Sequence, residues 1–322
     1  MAAEALGTLV VLPPLPEAQR KTDFGGLIED IHAGVGRIET GLGEHRVFLE
    51  RIDRAVRGYR YDRALHQLKS PPQHFTGRAG PLAEICVALT PKTDSVSPGG
   101  MHAVVISAVN GLGGVGKTAL AIMAGYALLD DYPDLQLFLE LGAHSANPLT
   151  AEQVRDSVLQ AVDPTNRLPD DDSTRWQLYR GRFRAADTGK ALRGLVVLDD
   201  AADDAQVGKL APPPGCALLV TSRQRLRTGQ PLHLDRLPRA ESLMLLHTYS
   251  PRLDETQADA LARLCGDLPV ALKTAGGYLK AYPSTPVAEY LEELAQDRLQ
   301  GLHNEEEPRD DVNRVFDASY RA

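Results

Sequence analysis

The sequence predicts an α/β protein: a domain with a parallel five-stranded sheet, followed by a small helical domain and preceded by a helical arm. Three observations predict it. Five short apolar runs, 103–109, 135–141, 194–199, 217–221 and 232–234, have the composition of strands buried on both faces. Helical patterns separate them, and strand-helix alternation gives right-handed crossovers with a ligand crevice at the carboxyl ends of the strands. From about Arg239 the strands stop, and helices read at 239–249, 255–265, 270–280 and 287–299.

The first 70 residues carry Phe24, Ile28, Ile31, Val35, Ile38, Leu42, Leu49, Ile52 and Val56 on alternating four- and three-residue steps, with His45 filling the one gap, which is a heptad seam. Gly34, Gly36, Gly41 and Gly43 interrupt it, each weakening a helix by about 1 kcal/mol. A self-associating or signalling arm and a helix docked on its own core both remain open. Ser70, Pro71 and Pro72 read as a linker, 81–89 as a short helix, and 91–100 as a second linker. The resulting organisation is an arm over 1–70, an α/β domain over 71–237 and a helical domain over 238–303. Over 304–322, Val312, Val315, Phe316 and Tyr320 begin a further amphipathic pattern on which the chain stops. This reads as a piece of a longer protein.

Composition narrows the functional classes. Apolar residues at 43% and charged residues at 24% describe a folded globular chain. A formal net charge of −8 speaks against broad attraction to nucleic-acid phosphates, so no direct nucleic-acid partner is expected. Cys86, Cys216 and Cys265 are too widely spaced for a disulfide framework or a zinc site. No basic leader and no apolar run of about 18 residues is present, so the expectation is a cytoplasmic protein without a membrane partner.

The chemistry begins at Gly111, Leu112, Gly113, Gly114, Val115, Gly116, Lys117 and Thr118. These match the phosphate-loop pattern of a glycine, four residues, then Gly-Lys-Thr, directly after an apolar run and before a helix that opens at Ala119, which makes 71–237 a P-loop NTPase domain that binds nucleotide. Glycines let backbone N–H groups and the helix N-terminus face phosphates, Lys117 reaches the β- and γ-phosphates, and the Thr118 hydroxyl ligates Mg²⁺. The expected ligands are ATP or ADP with Mg²⁺, bound by Gly111, Gly113, Gly114, Val115, Gly116, Lys117, Thr118 and Ala119. Leu195 to Leu198 form an apolar run that ends in Asp199 and Asp200. Asp199 is placed to hold Mg²⁺, and Asp200 is either placed to orient or deprotonate the attacking water, or is a helix N-cap or a solvated loop acid. Thr221, Ser222 and Arg223 end the next strand, which in ATPases with an acid after this element lies between the strands of the loop and of Asp199. Arg223 there is either a γ-phosphate sensor or a surface arginine in a region rich in them. His144 and His233 lie near strand ends with no spaced metal-ligating partner. Trp176, Leu178, Tyr179 and Phe183 read as the buried face of a helix.

With these residues in hand, the chain resembles the NB-ARC or AP-ATPase branch of the STAND signal-transduction ATPases. Phe75, Thr76, Gly77 and Arg78 are similar to that family's hhGRE motif, with Ala79 where the acid is expected, and the resemblance implies that Arg78 contacts the adenine end of the nucleotide. Cys265 to Leu272 resemble its Gly-x-Leu-Pro-Leu motif, implying that Pro269 lies against the adenine. The resemblance covers roughly 72–322, implies that 304–322 is the start of a winged-helix domain, and implies a switch: ADP clamps a resting state, ATP releases it, and the opened protein forms homo-oligomers under an unknown activating ligand or protein. Hydrolysis is then slow. A constitutively cycling P-loop ATPase and a non-hydrolysing ADP-bound scaffold are the alternatives.

Overall fold

The computed structural model describes residues 65–91, 102–108, 113–162, 167–184 and 189–302. The heptad arm up to residue 64, Gly111 and the 304–322 segment lie outside the described residues.

Within them, β2 (His102–Ala108), β3 (Leu135–Glu140), β4 (Gly194–Asp199), β5 (Ala217–Ser222) and β6 (Gln230–Leu234) are the five expected strands. A sixth strand, β1 (Leu65–Gln67), joins them in a parallel sheet of order β1-β3-β4-β5-β2-β6. β1 falls inside the stretch read as a helical arm. Three residues of sequence Leu-His-Gln contain too little alternation to signal a strand, and only pairing with β3 defines it. As expected, β5 lies between β2 and β4.

The two-residue period of the strands divides the core. Val104, Ile106, Leu195, Val197, Ala217 and Leu219 face one cluster, shared with α1 (Ala79–Leu89) and α2 (Lys117–Ala127). Val105, Val196, Leu198, Leu218 and Val220 face the other, shared with α3 (Ala151–Val162), α4 (Asp172–Gly181) and α5 (Asp204–Leu210). Such strands have no solvated face, which explains their uninterrupted apolar composition. In α4, Tyr179 is buried, as is Phe183 just beyond it, whereas Leu178 is 41% exposed and lies off the buried face expected for it.

The first cluster continues into α6 (Arg239–Tyr249), α7 (Glu255–Leu264), α8 (Pro269–Ala281) and α9 (Val287–Leu302) through Leu246, Leu261, Leu272 and Tyr290. Local signals set their starts. Asp254 and Gln257 form a capping box at α7, and Pro269, which has no N–H to leave unsatisfied, occupies the first turn of α8.

The α6–α8 contact is close enough to require a glycine. A Cβ on Gly276 would stand 2.7 Å from the Cβ of Tyr249, whereas one on Gly277 would meet nothing within 4 Å. Alanine improves helix propensity by about 1 kcal/mol at either position, but overpacking costs about 1–3 kcal/mol. Gly276→Ala is therefore expected to lower the melting temperature and Gly277→Ala to hold or raise it. Equal responses of the two variants in thermal melts would remove the packing explanation.

Candidate functional site: the phosphate loop and its acids

The site lies at the carboxyl ends of β2, β4 and β5, where the sheet delivers the chain to three successive turns. Beyond β2, Gly114 and Gly116 adopt φ of +71° and +94° before α2 begins at Lys117. Backbone in this region favours glycine, and here it turns the loop directly onto the helix N-terminus. Val115 is buried between them and anchors the loop in the core. Thr118 and Ala119 occupy the first turn of α2.

β4 presents Asp199 opposite Thr118. The Thr118 hydroxyl donates to both carboxylate oxygens, at 2.9 and 3.1 Å, and the Thr221 hydroxyl donates to Oδ1 at 2.6 Å. Asp199 is only 6% exposed. Burial pushes its carboxyl above the usual carboxylate range, while the Thr221 and Thr118 hydroxyls act in the opposite direction. Two neutral hydroxyls on a buried carboxylate compensate its charge weakly. The pair Thr118 and Asp199 therefore fits a hard divalent cation, which takes one or two protein oxygens and draws the rest from phosphate and water.

Asp200 follows with φ of +57°, its N–H donating to the Thr221 hydroxyl at 2.9 Å and its carbonyl accepting from Ala143 at 2.9 Å. It does not cap a helix. The cap of α5 is Asp203, whose side chain accepts from the Gln206 N–H at 2.7 Å. The Asp200 carboxylate instead meets His144, through Nδ1 at 2.8 Å and through the backbone N–H at 3.1 Å.

Lys117 is half-buried. Burial first and the Arg223 charge second hold its ammonium below the usual lysine range, with Asp200 and Asp199 working against both. Arg223 is exposed just past β5, and a Cβ on Gly113 would stand 3.9 Å from its guanidinium. The loop, Lys117, both acids and Arg223 thus converge on one place.

The helical segment reaches the same loop. The Val270 N–H donates to the Gly114 carbonyl at 3.3 Å, and a Cβ on Gly116 would lie 4.0 Å from Cγ of Pro269. Arg236 donates to the Gly266 carbonyl at 2.8 Å and Arg239 to the Asp267 carboxylate at 2.9 Å, tying the turn before α8 to the chain leaving β6. Arg78 sits behind the loop, 7% exposed, and donates to the carbonyls of Val115 at 3.0 Å and Asp235 at 2.6 Å. Its guanidinium braces the loop against the strand that precedes the helical segment.

No family model matches the chain. It is 34% identical over 241 residues to Regulatory protein AfsR of Streptomyces coelicolor, a match that covers 72% of this chain and 24% of that protein. It is also 34% identical over 241 residues to Regulatory protein AfsR of Streptomyces griseus, covering 72% and 23% respectively. The chain thus spans about a quarter of the length of these curated relatives. Among solved structures, the Aeropyrum pernix ORC2 protein superposes with a TM-score of 0.46 at 15% identity, over 67% of this chain and 66% of that one. A STAND protein with a tetratricopeptide repeat sensor, from Pyrococcus horikoshii, gives 0.40 at 16% identity, over 78% and 33%. At values this low, the fold rests on the strand order itself.

Two placements go beyond the sequence reading. His144 is in contact with Asp200, and Ser107, 2% exposed near the end of β2, pairs through its hydroxyl with Nδ1 of His233 at 2.8 Å. Neither pairing has a spacing signature, because strands β3 and β4, like β2 and β6, are brought side by side only by the sheet.

Proposed function

We propose that this chain is the nucleotide-binding part of an ATP/ADP signalling switch of the NB-ARC type, with slow Mg²⁺-dependent hydrolysis. One observation carries the reading: the N-terminus of α8 rests on the phosphate loop through Val270 and Pro269, so nucleotide and helical segment share one surface. A nucleotide moves two bodies relative to one another only by binding one arrangement better than the other, and a shared loop supplies that difference. The likeness to regulatory proteins points the same way.

In this reading the units are 71–237 for nucleotide binding and 238–303 for the helical lid. The backbone of Gly113 to Gly116 and the start of α2 bind the phosphates, with Lys117 on the β- and γ-phosphates. Thr118 and Asp199 hold Mg²⁺, which supplies neutralisation of charge on the phosphate oxygens. Asp200 accepts the proton of the attacking water, and Arg223 contacts the γ-phosphate and relates its presence to domain position. Pro269 borders the adenine, and Arg78 contacts the adenine end of the nucleotide while bracing the loop through the Val115 carbonyl. ATP-dependent opening leads to homo-oligomers in the cytoplasm, triggered by a ligand or protein of unknown identity.

The test is the nucleotide released when freshly purified protein is denatured, resolved by ion exchange against ADP and ATP standards. Near-stoichiometric ADP is expected. Protein that releases none and turns over added ATP rapidly would be a cycling ATPase instead.

A further inference from the structure

We infer that His144 is a positioning residue for Asp200, holding its carboxylate in one orientation through both the imidazole and its own backbone N–H. This rests on the reading of Asp200 as the base.

The main chain of Asp200 is fixed on both sides. Its N–H donates to Thr221 and its carbonyl accepts from Ala143. Its φ of +57° is a conformation that aspartate and asparagine adopt more readily than most residues. The side chain alone retains freedom, and the outer torsion of an aspartate is broad. His144 removes that freedom with two donors: Nδ1 lies 2.8 Å from Oδ1 and the backbone N–H 3.1 Å from Oδ2. An ionised carboxylate only accepts, so Nδ1 carries the hydrogen of this contact.

The loop that carries His144 is itself held. Gly142 turns with φ of +60°, the Ser145 N–H donates to the Gly142 carbonyl at 2.9 Å, and Leu149 closes back on Leu141 at 3.0 Å. The contact leaves the base usable. Each carboxylate oxygen has a second acceptor site, and the two side chains are 31% and 28% exposed, so a water can reach Asp200 while His144 holds it. A metal role for His144 has no support, since no cluster of three or more ligating side chains occurs among the described residues.

The test is steady-state ATP hydrolysis with Mg²⁺ by the full chain and its His144→Ala and His144→Asn variants, with ADP affinity measured alongside. His144→Ala is expected to lower kcat by roughly tenfold or more, since small misplacements of a reacting group carry penalties of this size. KM and ADP affinity are expected to stay within about twofold, because the phosphates contact other residues. In His144→Asn the amide N–H replaces the Nδ1 hydrogen and is expected to recover most of the rate. A kcat for His144→Ala at or above that of the parent, or an asparagine variant no better than the alanine one, overturns the inference. If the alanine variant fails to fold, the asparagine variant decides: near-parental turnover is expected, and a loss as large as that of Asp200→Asn counts against. Asp200→Asn run in parallel separates the two claims. Full turnover there removes the base itself, whereas a dead Asp200→Asn beside an unaffected His144→Ala removes only the positioning role.

Discussion

Lys117→Ala is expected to weaken ADP binding by roughly a hundredfold or more, corresponding to about 3 kcal/mol for charge-assisted contacts with phosphate. The side chain opens α2 between two acids and a second cation, Arg223, and is partly withdrawn from water. An ammonium in that position is opposed by burial and by a like charge, and an anion on the loop relieves both. Titration calorimetry with ADP and Mg²⁺ reads the loss directly. The unliganded variant is expected to melt at the parental temperature or above it, while the ADP-induced rise disappears. Affinity within about threefold of the parent would remove Gly113 to Thr118 from phosphate binding.

Asp200→Asn is expected to leave ADP affinity within about twofold of the parent and to lower the hydrolysis rate by about 10²–10⁴, the usual contribution of a general base. The substitution isolates chemistry from geometry. Asparagine tolerates φ of +57°, keeps the backbone bonds to Thr221 and Ala143, and still offers an oxygen to Nδ1 of His144. What it loses is the ability to take a proton. Single-turnover hydrolysis measured on pre-bound ATP separates this loss from product release. An unchanged rate there takes Asp200 out of the reaction.

The parts of this molecule that were legible from residues alone are those in which one local rule dominates. Strands buried on both faces announce themselves by uninterrupted apolar runs, and these runs match β2 through β6 to within a residue or two at each end. The loop was legible because glycine spacing, lysine and threonine are all dictated by phosphate geometry. Hidden were features that exist only after the sheet assembles. β1 is a strand because β3 offers it an edge, not because Leu-His-Gln favours extended backbone. His144 reaches Asp200 because Glu140 and Asp199 are register partners, which places the two following turns side by side. Likewise, Asp203 rather than Asp200 caps α5, a choice among four nearby acids that only the backbone conformation resolves.

The strand order carries a consequence for how the chain is made. β2, which leads into the phosphate loop, pairs with β5 and β6, and these emerge only after β3 and β4 have been synthesised. The Thr221 hydroxyl that supports Asp199 arrives with β5, and the residues that seat Pro269 on the loop come later still. A nascent chain therefore carries its loop sequence long before it has a pocket, and contacts of such long sequence separation form slowly. In the proposed function, ATP or ADP can act as a folding ligand only once β6 has emerged, stabilising chains that have completed the sheet and sparing none that stop short of it.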